Sequence, residues 1–228
     1  MIRAVLFDAG ATLVHPDPPV EAVYAREFAA DGARCTEEQL MGALARAWAE
    51  VHASPETNRY GGVRGEPDFW RTLLARVRFL VDGGSVSAAA FERLATHFRN
   101  PTAWAVYEDV PSTLEELVRQ DLKLAVVSNW DSFLPKLLAD LELDRFFPVV
   151  AVSAIEETGK PGAEIFHRAC RRLAVEPSEA LHVGDSLSED FEGARGAGLS
   201  ALLLDRQGRH PEIADRIASL TELPGRLR

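Results

Sequence analysis

Four short segments put acids, a hydroxyl and a lysine at the ends of apolar runs. Asp8 closes the run Ala4-Val5-Leu6-Phe7 and opens Asp8-Ala9-Gly10-Ala11-Thr12. A carboxylate at the carboxyl end of a buried strand is exposed to ligand and backed by packing, so it can act as a nucleophile. An Asp next to a Gly also closes turns. Ser128-Asn129 follow Leu124-Ala125-Val126-Val127. A hydroxyl and an amide there can hold an anionic oxygen, or can cap the next helix. Thr158-Gly159-Lys160-Pro161 follows the run at 149–152. Lys123, Lys136 and Lys160 are the chain's three lysines against 22 arginines. In so Arg-rich a chain a loop lysine hints at a need for a compact point charge, the alternative being ordinary surface charge. Last comes His182-Val183-Gly184-Asp185-Ser186-Leu187-Ser188-Glu189-Asp190. Here Gly184 permits a sharp turn, Asp185 ends a strand, and Asp190 falls in the first turn of a helix. Two such acids can serve a hard divalent cation such as Mg2+, which takes one or two carboxylates and substrate phosphate oxygens. A helix start also favours an acid through its dipole.

The elements that must position these residues are legible from periodicity. Runs at 4–7, 122–127, 149–152, 180–183 and 201–204 are too short for helices, rich in Val and Leu, and show little alternation. That pattern predicts parallel strands buried on both faces. Helical spacing at 112–119, 132–141, 163–173 and 189–197 separates the last four. The alternation predicts an α/β fold with a doubly wound parallel sheet. About a hundred residues separate the first two strands, far more than one crossover needs. They read as helices at 20–30, 37–51, 67–81 and 88–98, with Thr36-Glu37-Glu38-Gln39 as a capping-box start and a Gly/Pro/Asn-rich loop at 54–65. The expected division is a core of 1–14 and 105–228 and a helical cap of 15–104. Set just after Asp8, such a cap suits a lid that excludes water. Trp48, Arg64, Phe69, Trp70 and Arg71 are candidates to line its pocket, although aromatics at helical spacing more often form core. Trp104 and Tyr107 are expected to pack the return into the core.

Composition narrows the partners. The chain has 228 residues, is 46% hydrophobic and 26% charged, and carries a net charge of -10. That charge disfavours nucleic acid and favours a small ligand, while leaving room for local phosphate binding. Cys35 and Cys170 are far apart, as expected for free thiols in a reducing cytosol. No apolar run reaches the ~20 residues that span a bilayer, and the first strand begins too early for a signal peptide. A cytoplasmic protein without membrane or nucleic-acid partners is expected. Its oligomeric state is open.

In their order and spacing, Asp8, Ser128, Lys160 and Gly184-Asp185 with Asp190 resemble the haloacid dehalogenase-like (HAD) hydrolase superfamily, in the branch with a helical cap between its first and second motifs. The resemblance covers essentially the whole chain. It implies a Rossmann-like core and a small, phosphorylated substrate. It implies that Asp8 attacks phosphorus to form an aspartyl-phosphate, and that Asp8, the Gly10 carbonyl and Asp185 hold Mg2+. It gives Ser128 and Lys160 the phosphoryl group to hold and neutralise, with Asp190 supporting metal or lysine and Thr12 and Asn129 on the substrate side.

One departure matters. Phosphatases of this superfamily usually carry Asp-x-Asp in the first motif, and the second Asp handles the leaving group's proton. Here that position is Gly10. General acid–base help is typically worth ~10²–10⁴-fold. The expected substrates therefore have good leaving groups, such as acyl or aryl phosphates, or another group substitutes. Asp131 is the first candidate, the alternative being an N-cap of the following helix, and His15 is the second. The dehalogenase branch, whose motif resembles Asp-Ala-Tyr-Gly-Thr, also lacks that Asp and works without metal. Gly184-Asp185 argues against it, because two adjacent carboxylates without a cation repel. Phosphonatases use a cap lysine, and this chain has no lysine before Lys123. A phosphate- and metal-binding protein without turnover is the third reading.

Overall fold

A computed structural model describes residues 1–53 and 65–227. Two compact units emerge, Met1–His15 with Val106–Arg228, and Pro16–Ala105.

The first unit is built on a six-stranded sheet. In chain order its strands are β1 (Ala4–Phe7), β4 (Lys123–Ser128), β5 (Val149–Val152), β6 (Ala180–Gly184), β7 (Ser200–Leu204) and β8 (Arg216–Ile217). They lie in the order β5-β4-β1-β6-β7-β8, every pair parallel. The chain builds outward from β1 to one edge, then returns and builds to the other. That reversal is the topological switch point at which open α/β sheets bind ligands. Register is tight there, because Phe7 sits opposite Val126 of β4 and Val183 of β6. All four residues of β1 are fully buried, which explains the unbroken apolar run. One face packs Leu6, Ala125 and Val127 against Ile165, Phe166 and Ala169 of the helix Ala163–Leu173.

Five of these strands coincide with the apolar runs expected to form strands. β8 does not, because two residues carry no periodicity. Two three-residue strands, β2 (Val14–Pro16) and β3 (Trp104–Val106), form a separate ribbon and coincide with no such run for the same reason. The helix expected at 132–141 begins later, at Leu134–Asp140. The one expected from 189 begins earlier, as a wide π-type turn over Leu187–Glu192 capped by Ser186, whose hydroxyl accepts the Glu189 N–H. Such turns recur at functional sites.

The second unit is helical: Val20–Ala30, Glu37–Ala53, Glu66–Asp82 and Ala88–Phe98. Thr36 and Gln39 exchange the expected capping hydrogen bonds, at 3.2 and 3.0 Å. Its own core includes Phe28, Leu40, Ala47, Phe69 and Leu73, with Trp48 and Trp70 packed against it. Phe69 meets both tryptophans edge to face, so these aromatics serve the helical core. Arg71 lies over the Phe91 ring at 4.8 Å. Arg64 and nearly all of the expected 54–65 loop lie outside the described residues. Among the described residues no helix is long and apolar enough to cross a membrane.

Candidate active site

The carboxyl ends of β1, β4 and β6 bring the singled-out residues together. Asp8 stands one residue past β1, its N–H donating to the Val183 carbonyl at 2.9 Å. The chain then folds back on itself. Leu13 and Val14 donate to the Ala9 carbonyl at 2.8 and 3.0 Å, and Ala11 takes a left-handed conformation with φ 55°. This turn buries Thr12 completely, and Thr12 Oγ1 has no hydrogen-bond partner among the described residues.

Lys160 is the centre of the cluster. Its side chain is 1% exposed, and Nζ lies 2.6 Å from Asp8 Oδ1 and 2.5 Å from Asp190 Oδ1. Burial works against the ammonium, but Asp190 and Asp8 outweigh it and hold the lysine above its ordinary range. Burial likewise opposes ionisation of Asp190. The Lys160 charge and a hydrogen bond from His182 prevail and hold that carboxyl well below the usual range. For Asp8 burial wins, so its pKa is raised in spite of Lys160 and a hydrogen bond from Ser128.

Asp190 is fully engaged. Oδ1 accepts from Lys160 and, at 2.8 Å, from His182 Nε2, while Oδ2 accepts the Ser186 N–H at 2.9 Å. Gly184 makes this possible, because a Cβ there would overlap the Asp190 carboxyl. Asp185 is the opposite case. It is half-buried and has no salt-bridge partner among the described residues. Burial, then Asp8, then Asp190 push its pKa up to about 7. Oxygens of Asp8, Asp185 and Asp190 lie within 4.8 Å of one another. Three carboxylates around one lysine leave excess negative charge, and the oxygen-only donor set suits a hard divalent cation. Gly10 forms an isolated bridge with Val14 beside this cluster.

Asn129 is drawn inward. Its amide donates to the Lys160 carbonyl and to Glu189 Oε2, both at 2.8 Å, and Oδ1 accepts the Lys160 N–H at 2.8 Å. It thereby braces the lysine loop against the π-type turn. Asp131 Oδ1 accepts the Phe133 N–H at 3.0 Å, the local turn its position before a helix allowed. His15 packs its ring against Tyr107 at 4.6 Å between centroids.

Three contributors carried no signal on their own. His182 reads as one more apolar-run residue, yet it is fully buried, backs Asp190, and packs edge-on against Phe166 at 5.1 Å. Arg206, just past β7, clamps Asp109 at 2.8 and 2.9 Å and donates to the Thr12 carbonyl at 3.0 Å. Its guanidinium lies 4.0 Å from the Tyr107 ring centroid. Tyr107 itself is raised in pKa by burial. Trp130 is the third; its ring abuts Gly10. Only the strand-end position of His182, two residues before Gly184-Asp185, offered a clue.

The family model described as haloacid dehalogenase-like hydrolase matches residues 2–198. The chain is 30% identical over 227 residues to haloacid dehalogenase-like hydrolase domain-containing protein 3 of Bos taurus, covering 98% of this chain and 90% of the relative. It is 31% identical to a glyceraldehyde 3-phosphate phosphatase of Methanopyrus kandleri, covering 95% and 89%. A crystal structure of a HAD phosphatase from Thermococcus onnurineus superposes with a TM-score of 0.70 at 28% identity, covering 99% and 98%.

Proposed function

Since the chain belongs to the haloacid dehalogenase-like hydrolases, we propose that it is a Mg2+-dependent hydrolase of small phosphorylated substrates in which Asp8 is the nucleophile. The observation that carries this reading is the buried Asp8–Lys160–Asp190 chain of contacts with Asp185 unpaired beside it. A metal-free dehalogenase has no use for that unpaired acid. The phosphatase relatives support the same reading.

Each residue then has a task. An anionic phosphate approaching Asp8 meets like charge, and the Lys160 ammonium offsets it in a dry site where such terms are large. Asp190, Ser186 N–H and His182 keep that ammonium aimed. The Ser128 hydroxyl, which donates to Asp8, can turn to a phosphoryl oxygen. The buried Thr12 hydroxyl, which has no hydrogen-bond partner among the described residues, is a donor left for a substrate oxygen. Asp8 Oδ forms a bond to phosphorus as the bond to the leaving oxygen breaks, and that oxygen keeps the electron pair. Water then bonds to phosphorus as the Asp8 ester bond breaks, and its proton passes to solvent. Asp8, the Gly10 carbonyl and Asp185 are the donors that would hold Mg2+. Bound there, the ion would neutralise phosphoryl oxygens and orient the group.

The test is hydrolysis of an aryl phosphate and an acyl phosphate, with Mg2+ and with EDTA, by wild type and Asp8→Asn. Turnover is expected with Mg2+ only, and a loss of at least ~10⁴-fold in Asp8→Asn. Metal-independent chloride release from 2-chloropropionate, with no phosphate release, would overturn the proposal.

A further inference from the structure

Two consecutive carbonyls of the turn that follows Asp8 are held from outside the turn. The Thr12 carbonyl accepts from Arg206 Nη2 at 3.0 Å, and the Leu13 carbonyl accepts the Tyr107 N–H at 3.1 Å. The turn itself is tight. The Ala9 carbonyl accepts the Leu13 and Val14 N–H groups, the Ala11 N–H donates to the Val14 carbonyl at 2.9 Å, and Ala11 is left-handed with φ 55°. A non-glycine residue in that region persists only where its surroundings over-determine it. Gly10, whose carbonyl is among the donors assigned to Mg2+ above, lies inside this turn.

Arg206 is itself fixed. Nη1 and Nη2 donate to the two oxygens of Asp109 at 2.8 and 2.9 Å. Nη2 therefore spends one hydrogen on Asp109 and the other on Thr12. Nε is buried without a hydrogen-bond partner among the described residues, so the hold lies in Nη1 and Nη2. The guanidinium lies 4.0 Å from the Tyr107 ring centroid, and the residue whose N–H holds Leu13 thus also supports the arginine. Asp109 Oδ2 accepts further from Ser219 Oγ at 2.7 Å and from the Leu220 N–H at 2.9 Å. Burial opposes ionisation of Asp109, but Arg206, Ser219 and Leu220 hold its carboxyl below the ordinary range. Beside Arg206, the buried Asp205 accepts the Arg209 and His210 N–H groups at 2.8 and 2.9 Å, which fixes the backbone from which the arginine reaches. A planar fork can grip a carboxylate and still spare a hydrogen for a carbonyl, whereas an ammonium is a point charge without that geometry.

We propose that Arg206 is the positioning residue of the nucleophile's turn, holding the Thr12 carbonyl so that Asp8 and Gly10 keep the geometry of attack. The inference rests on Asp8 being the phosphoryl-accepting nucleophile. Arg206 acts through the backbone, and Asp109 acts through Arg206. Without the fork the turn loosens and Asp8 is spread over more positions. A misplacement of about 1 Å can cost ~10²-fold in rate. Substrate binding, to which the arginine adds no contact, changes far less. A clamp that served stability alone would lower the melting temperature and leave kcat as it is.

The experiment measures kcat and KM for an aryl phosphate with Mg2+ in wild type, Arg206→Lys, Arg206→Met and Asp109→Asn. It also follows amide hydrogen exchange at Leu13 and Val14 by NMR in the same proteins without substrate. Arg206→Met should lower kcat by ~30–100-fold with KM within about 3-fold of wild type. Arg206→Lys should recover only a small part, because it restores the charge without the fork. Asp109→Asn should cost less than either, since Thr12 keeps its donor. The Leu13 and Val14 amides should exchange at least ~10-fold faster in Arg206→Met, with Val126 and Val127 of β4 unchanged. If Arg206→Met does not fold, Arg206→Lys carries both readouts. Unchanged kcat, or unchanged exchange at Leu13 and Val14, would overturn the proposal. A rise in KM at constant kcat would make Arg206 a substrate contact and overturn it equally. Absence of phosphate release by wild type would overturn the phosphoryl reading and the catalytic role of the clamp with it. The exchange rates separate that case, because they report on the turn alone.

Discussion

Two acids five residues apart, Asp185 directly past β6 and Asp190 in the π-type turn that follows, live in opposite surroundings. Asp190 is buried, takes hydrogen bonds on both oxygens and titrates far below its ordinary value. Asp185 is half-buried, unpaired among the described residues, and pushed up to about 7. The inner half of the site, Lys160, Asp190 and His182, has its charges paired within the chain, with His182 Nδ1 left without a hydrogen-bond partner among the described residues. The outer half, Asp185 with one side of Asp8, has charge that the chain does not balance. Paired buried charges rigidify a site, and unbalanced ones are costly without a further partner. The inner half therefore reads as scaffold for the nucleophile, and the outer half as the place where something else binds.

The largest expected effect comes from breaking the inner half. Lys160→Met keeps much of the side chain's length and removes its charge, leaving Asp8 and Asp190 buried without their shared partner. Removing one partner of a buried pair costs about 3–5 kcal/mol. Urea unfolding at pH 7 should show a loss of that order, together with loss of turnover. A stability change below ~1 kcal/mol would mean that the lysine is not the keystone described here.

His182 tests the same half more gently. His182→Leu removes a hydrogen bond to a charged carboxylate, worth about 1.5–3 kcal/mol, and should lower both stability and kcat. His182→Gln retains an N–H donor, so it should recover part of each. If both variants melt and turn over alike, the histidine only fills space against Phe166.

The inner and outer halves also differ in how far the chain announces them. The four strand ends stand out because apolar runs stop at them, and parallel strands put such ends on one edge of the sheet. Asp8, Ser128, Lys160 and Asp190 accordingly lie in or against one cluster. The readings that required tertiary knowledge were less legible. Asn129 reads as a ligand-binding amide, but its donors are spent on Lys160 and Glu189, a contact between segments thirty or more residues apart. Arg206 matters only through partners about a hundred or more residues away, and His182 through Asp190, reached only once the intervening turn has formed. Trp130 meets Gly10, 120 positions earlier, where a Cβ would come within 3.0 Å of its ring. The helical unit shows the reverse limit. Its helices were plain from periodicity, yet Trp48, Phe69 and Trp70 pack into its own core, so pattern alone could not tell core from pocket.

Asp185 provides the finest measure of the contrast, through pH. Its carboxyl is raised from 3.8 to about 7 by burial and then by Asp8 and Asp190. Between those values the unfolded chain has lost the proton and the folded protein keeps it. The folded state binds more protons, so stability must fall as pH rises through the window, by at most about 1.4 kcal/mol per pH unit for one group. Asp190 works in the other direction, since its depressed carboxyl stabilises above pH 4 and is lost only on strong acidification. Thermal melts without divalent cation should therefore decline between about pH 4 and pH 7, and Asp185→Asn should flatten that decline. Added Mg2+ should restore wild type at pH 8, where Asp185 is ionised, and do much less at pH 5, where a proton occupies the carboxyl. Asp185→Asn should lose most of that Mg2+ response. Equal slopes in the two proteins would show that Asp185 is not the uncompensated charge, and that the outer half is closed by a contact within the chain.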